Sequence, residues 1–237
     1  MIRVFIGYDP VEAGTYGPMV HSILRQSSMP VSITPVALEN LRGILTRERD
    51  PMQSNDFAFS RFLVPWMCNY EGWAIFMDCD MILRDDIAKL WAQRDEKYAI
   101  KVVKHNHVPP EDTKYLGNKQ TKYARKNWSS VMLINCAKCK LLTPEYINTA
   151  SGLDLHQFKW LEDHEIGELP HYWNHLVGYD AYDPRAANVH YTTGGPYFAE
   201  YKNCDYHQDW YAEKSKSEII LQTSEIKKSK LKVLERE

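Results

Sequence analysis

Short apolar runs alternate along the chain with amphipathic and polar stretches, and the period of each predicts its structure. Ile2-Arg3-Val4-Phe5-Ile6 leads into Gly7-Tyr8-Asp9-Pro10, so residues 2–8 read as a buried strand that a turn interrupts. Met19, Val20, Ile23 and Leu24 recur at the spacing of one helix face and predict a helix to about residue 27. Residues 31–36 read as a second strand after Pro30, and the polar, irregular stretch 38–53 as a surface loop. Ser54-Asn55-Asp56 predicts the cap of a helix carrying Phe57, Arg61, Phe62 and Trp66, which Pro65 should bend or end. Trp73-Ala74-Ile75-Phe76-Met77 fits a central strand, and it ends in Asp78-Cys79-Asp80. Residues 98–103 and 130–134 are further strands, and Thr143-Pro144 opens a helix with a cap and a first-turn proline. Residues 154–168 read as helical, and Val189-His190-Tyr191 as a last strand before Gly194-Gly195-Pro196.

Strands alternating with helices predict an α/β fold, a mostly parallel mixed sheet flanked by helices. The 237 residues suit a single domain over residues 1–212. The Lys/Glu/Ser-rich tail, 213–237, reads as partly helical or mobile, with Ile219, Ile220 and Leu221 docking on the body.

Composition narrows the function classes. With 44% hydrophobic and 25% charged residues the chain buries a core, and a net charge of −2 gives no general attraction to nucleic acid or acidic membranes. No stretch approaches the roughly 20 apolar residues of a membrane span. Met1 runs directly into a strand-like segment, leaving no signal-peptide core. Five cysteines, an odd number, argue against a disulfide framework and for a cytoplasmic location. Fifteen tyrosines and seven tryptophans serve cores first, but they also stack on sugars and bases.

The strongest chemical signal is Asp78-Cys79-Asp80. Two carboxylates two residues apart, at the end of an apolar strand, sit where open α/β sheets bind ligands. Unpaired carboxylates beside a core cost several kcal/mol, and a hard divalent cation, Mn²⁺ or Mg²⁺, removes that cost. The plain alternative is a strand-end turn with two solvated acids.

The segment Ile-Phe-Met-Asp-Cys-Asp-Met-Ile-Leu, 75–83, resembles the Asp-x-Asp motif of nucleotide-sugar glycosyltransferases with the GT-A (Rossmann-like) fold. Further blocks follow in the same order. Ile6-Gly7-Tyr8-Asp9 is similar to the first strand and its nucleotide loop, and Ser60-Arg61-Phe62 to the helix whose arginine faces the donor. Asn127-Trp128-Ser129-Ser130, running on to Asn135, resembles the strand beside the donor sugar. His190-Tyr191-Thr192-Thr193-Gly194-Gly195-Pro196-Tyr197 is similar to a late block of the retaining family that includes glycogenin and bacterial lipopolysaccharide galactosyltransferases.

The resemblance implies that Asp78, Asp80 and His190 hold the metal against the diphosphate of a nucleotide-sugar donor, UDP-hexose above all. Tyr8 and Asp9 would meet the base or ribose and Arg61 the phosphates or sugar, while Cys79, Ser129, Ser130 and Gly195 would line the donor site. Ser129-Ser130 replaces the family's Ala-Gly, and Gly195-Pro196-Tyr197 lacks the lysine that precedes the family's proline. The acid near the anomeric carbon is best matched by Asp163, with Glu162 beside it as the alternative and a salt-bridging surface acid as the plain reading. The acceptor, a glycan, a lipid-linked molecule or a protein, is left open.

Other patterns compete. A haloacid-dehalogenase-type phosphatase also places Asp-x-Asp after an apolar strand, normally its first, and a non-catalytic nucleotide-sugar-binding module would share the donor pocket. Cys136/Cys139 with Cys204/His207 have zinc-like pair spacing, but Cys136 ends an apolar strand. His105/His107 and His171/His175 lack an adjacent acid. Lys114, Lys119, Lys122, Arg125 and Lys126, interleaved with Tyr115 and Tyr123, read as a basic loop, either solvated or a lid over the donor.

Overall fold

The apolar run at the start of the chain is an inner strand of a six-stranded sheet, in the order β2-β1-β3-β6-β5-β7. The structure, a computed structural model, describes residues 1–50, 53–106 and 124–218. Its elements are β1 (Ile2–Tyr8), α1 (Ala13–Gln26), β2 (Val31–Ala37), α2 (Val64–Met67), β3 (Trp73–Met77), β4 (Met81–Leu83), α3 (Ile87–Trp91) and β5 (Ile100–Val102). The second half adds β6 (Val131–Asn135), α4 (Pro144–Thr149), α5 (Gly152–His156), β7 (Ile166–Glu168), β8 (His175–Leu176), β9 (Asn188–His190) and α6 (His207–Ser217).

β1 pairs in parallel with β2 and β3, and β5 with β7; β6 runs antiparallel to both of its neighbours, β3 and β5. The sheet is therefore mixed but mostly parallel, as the alternation of elements predicts. Ala74, Ile75, Phe76 and Met77 are fully buried, which explains why β3 carries no polar position. α1 lays Met19 and Ile23 on the core while Leu24 stays exposed. Ser22 on the same helix accepts a hydrogen bond from the Leu83 amide at 3.0 Å.

A second, three-stranded sheet, β4-β9-β8, places the functional segment. Asp78-Cys79-Asp80 is the crossing between β3 in the first sheet and β4 in the second. β9 pairs antiparallel with β4, setting His190 opposite Met81. A small apolar cluster of Ile82, Val177, Val189, Tyr191, Tyr206 and Trp210 supports this second sheet.

Several local expectations are corrected. Residues 154–168 are not one helix: α5 stops at His156, Phe158 takes a left-handed φ of 55°, and the chain continues as strand β7 on the sheet edge. Ser54-Asn55-Asp56 caps no helix. Its Asp56 amide donates to Asp9 Oδ2 at 3.0 Å, a 3₁₀ turn at Ser60–Leu63 follows, and Pro65 sits in the first turn of α2 rather than ending it. The loop at 38–53 contains a 3₁₀ turn, Leu38–Leu41, and buries Leu41 and Leu45. Apart from these, α6 extends to Ser217, and buried Glu213 ties it to α1 through Arg25 Nε at 2.9 Å and His21 Nδ1 at 2.5 Å. Ile219, Ile220, Leu221, His107 and the basic positions 114–122 with Tyr115 and Tyr123 lie outside the described residues. Among the described residues no helix is long and apolar enough to cross a membrane.

Candidate active site

Asp78, Asp80 and His190 converge, each offering a ligand atom within 4.8 Å of the others. All are buried: Asp78 is 7% exposed, Asp80 8% and His190 3%. Fixed backbone holds them there. The Asp78 amide donates to the Ser130 carbonyl at 3.0 Å, and the Tyr191 amide to the Asp80 carbonyl at 2.9 Å, so β6 and β9 clamp the motif from both sides.

Each member has its own electrostatic partner. Arg61, buried between the rings of Phe57 and Phe76, donates from Nη1 to Asp78 Oδ1 at 2.8 Å and to the Ser129 carbonyl at 3.0 Å. His190 Nε2 lies 3.3 Å from Asp80 Oδ2. Burial pushes the Asp80 carboxyl up, but the charge of His190 and its hydrogen bond outweigh that and hold it below the usual carboxylate range. Burial likewise pushes His190 down, and Asp80, with Asp78 behind it, raises it above the ordinary imidazole value.

The far nitrogen of His190, Nδ1, is 3.0 Å from Asn174 Oδ1. The amide of Asn174 donates to Ser130 Oγ at 2.8 Å and to the Asn127 carbonyl at 3.2 Å, so its oxygen is left to accept from Nδ1–H. That fixes a proton on Nδ1; the second proton of the charged ring is the Nε2–H shared with Asp80, and giving it up to a cation would leave an Nε2 lone pair, the arrangement of a metal-ligating imidazole held by an outer partner. Asp80 Oδ1 is buried with no hydrogen-bond partner. Two carboxylates, one with an orphaned oxygen, and one imidazole nitrogen form a donor set that fits Mn²⁺ or Mg²⁺.

Sequence reasoning missed Asn174 and Glu12. Glu12, at the end of a 3₁₀ turn after β1, is 4% exposed, and Tyr197 Oη donates to its Oε1 at 3.2 Å. Burial first, then the charges of Asp80, Asp9 and Asp78, raise its pKa to about 8 against the bond from Tyr197. Glu12 is thus largely protonated at neutral pH, while the carboxyl of Asp80 is held on the low side. Nothing in the residue pattern marks Asn174 or Glu12.

The remaining expected residues are distributed as follows. Asp9 accepts from the Val11 amide on Oδ1 at 2.9 Å and the Asp56 amide on Oδ2 at 3.0 Å, so it shapes the loop after β1. Tyr8 stands edge-on to Tyr16 with centroids 5.8 Å apart. The Cys79 thiol points inward, toward Glu12. Ser129 Oγ is 2.8 Å from His156 Nδ1, and Ser130 Oγ donates to the Asn127 carbonyl at 2.7 Å. Gly195 is required by packing: a Cβ there would sit 2.3 Å from the Tyr197 ring and 3.0 Å from Tyr191. Asp163 lies on an exposed 3₁₀ turn, its side chain 86% accessible and paired with Arg125, and it is not among the groups that gather at the triad. Glu162 caps the same turn, its amide donating to Glu165 Oε2 at 2.9 Å, and it too lies outside the triad. Cys136 and Cys139 are buried in the main core and do not join Cys204 and His207 in a cluster among the described residues.

The chain matches no protein-family model. Three solved glycosyltransferases superpose on it. WbbM, a bifunctional enzyme, gives a TM-score of 0.63 at 12% identity over 90% of this chain and 49% of that one. GlyE of Streptococcus pneumoniae gives 0.62 at 15% identity over 90% of this chain and 60% of that one. LgtC gives 0.59 at 11% identity over 93% of this chain and 98% of that one. This chain therefore spans about half the length of WbbM and three fifths of GlyE, and it has the GT-A fold that the motif order implies. In sequence it is 47% identical over 220 residues to Protein CDI of Arabidopsis thaliana, covering 89% of this chain and 85% of that protein. The chain has the GT-A fold and belongs to the family of Arabidopsis thaliana Protein CDI.

Proposed function

We propose that the chain is a metal-dependent glycosyltransferase that moves a hexose from a nucleoside-diphosphate sugar, UDP-hexose first, to a glycan, lipid-linked or protein acceptor with retention of configuration. The observation that carries the reading is the convergence of Asp78, Asp80 and His190 around a carboxylate oxygen with no partner. A divalent cation bound there supplies Lewis-acid stabilisation of the leaving nucleoside diphosphate. The chain's own residues prepare the place. Arg61 fixes Asp78, Asn174 fixes the tautomer of His190, and Glu12 adds no full negative charge at neutral pH where a diphosphate must approach. LgtC, a galactosyltransferase solved with donor and acceptor sugar analogs, shares the fold. Five free cysteines, four of them buried, favour a reducing, cytoplasmic setting.

The phosphatase alternative loses its footing, because the Asp-x-Asp follows the third strand of a GT-A sheet instead of opening the fold. The test is nucleotide release from UDP-, GDP-, ADP- and TDP-sugars with Mn²⁺, followed by proton NMR of any new glycosidic linkage. Slow release from one donor without acceptor is expected, because water reaches an activated leaving group. Metal-dependent nucleotide binding with no release from any donor would leave a binding module instead. An inverted linkage would overturn retention.

A further inference from the structure

A second group of metal-type donors stands apart from the triad. His105, His171 and Asp180 come from three separate segments, and their ligand atoms all lie within 4.8 Å of one another. In sequence the histidines have no neighbouring acid; in the structure Asp180, after β8, supplies it. His171 Nε2 is 2.8 Å from Asp180 Oδ2, and the His105 and His171 rings meet edge-to-face with centroids 5.0 Å apart.

The backbone fixes each donor. The His105 amide donates to the Val103 carbonyl at 3.0 Å, and its carbonyl accepts from Trp128 Nε1 at 2.9 Å. His171 opens a 3₁₀ turn, His171–Trp173. Asp180 Oδ2 accepts from the Leu176 amide at 2.7 Å, with His175 Nδ1 at 3.9 Å. An ordinary surface ion pair needs only His171 and Asp180. A third donor, the imidazole of His105, only 6% exposed and just after β5, converges on the same point.

We propose that His105, His171 and Asp180 form a second cation site, for a borderline transition metal such as Zn²⁺. Two imidazoles and one carboxylate favour zinc and its neighbours over Mg²⁺, whereas the two carboxylates and one imidazole of the triad favour a harder ion. Zinc bonds of about 2.0–2.2 Å need ligand atoms roughly 3.3 Å apart in tetrahedral geometry. His171, 54% exposed along its side chain, can rotate to close the set. The site braces the turn whose next residue, Asn174, holds His190, so its zinc is a strut behind the triad. The inference does not depend on glycosyl transfer.

The experiment is competition for Zn²⁺ against a chromophoric chelator, using the full chain with Asp80→Asn and Cys204→Ser to remove the triad site and the one partly accessible thiol. One equivalent should bind. Adding His171→Ala or Asp180→Asn should weaken it at least tenfold and abolish the zinc-induced rise in melting temperature. His171 is exposed, so its loss leaves the fold intact, and unchanged far-ultraviolet circular dichroism checks that. No zinc uptake by the Asp80→Asn, Cys204→Ser protein, or the same affinity after His171→Ala and Asp180→Asn, overturns the site.

Discussion

Glu12→Gln should remove part of the chain's loss of stability toward alkaline pH. Glu12 is buried among Asp80, Asp9 and Asp78, with the Cys79 thiol also toward it and Tyr197 as its hydrogen-bond donor. Its pKa rises from 4.5 to about 8 on folding. The folded state therefore holds a proton that the unfolded chain has released across that window. Stability is full below about pH 4.5, falls as pH rises, and levels off above about pH 8. At about 1.4 kcal/mol per unit the ceiling on the loss is about 5 kcal/mol, and water entering the site lowers it. Glutamine keeps the shape and cannot ionise, so this share of the decline should vanish.

The assay is thermal unfolding of both proteins in EDTA between pH 5 and 9. At the acidic end the two should melt within a degree or two of each other. At the alkaline end Glu12→Gln should melt higher by about 5–10 °C, since roughly 1 kcal/mol moves a domain of this size by 2–4 °C. Mn²⁺ should shrink the gap without closing it, because it offsets the carboxylates and leaves the larger cause, burial. Parallel curves in EDTA would refute the reasoning and mean that Glu12 reaches solvent.

Two further outcomes follow from the triad. UDP with Mn²⁺ should raise the melting temperature more than the two separate shifts combined, since each ligand favours the other; a ligand at 100 times its Kd contributes about 2.7 kcal/mol. Asp80→Asn should abolish that synergy, and a wild-type shift in the variant, or UDP binding indifferent to EDTA, would return Asp78 and Asp80 to a solvated turn. Asn174→Ala frees the His190 ring and should weaken Mn²⁺ about 10–100-fold, read by Mn²⁺ titration followed by electron paramagnetic resonance; an unchanged affinity would mean that the His190 tautomer needs no partner.

The sequence was most legible where one residue's surroundings are local. β3 is a single run with no polar position, so both its existence and the motif at its end could be read directly. Thr143-Pro144 likewise capped α4 as expected, Thr143 Oγ1 accepting from the Tyr146 amide at 3.2 Å. Legibility failed where spacing imitated a period. Leu155, Phe158 and Leu161 recur as on a helix face, yet α5 stops at His156 and Phe158 turns left-handed to reach the core. It failed again for β4 and β8, whose two or three residues are too short to display alternation, whereas β9, Asn188–His190, matches the strand read at Val189-His190-Tyr191 to within a residue. That second sheet brings His190 from late in the chain to Asp80. His190 was found through its resemblance to a known block, whereas Asn174 and Glu12 were invisible, because an ordinary amide and an ordinary acid acquire their roles only from what burial denies them. Water would solvate both in the unfolded chain. Packed against His190 and Asp80, one must accept a specific proton and the other must keep its own, and those constraints belong to the juxtaposition of β9 with the β3–β4 crossing rather than to either segment alone.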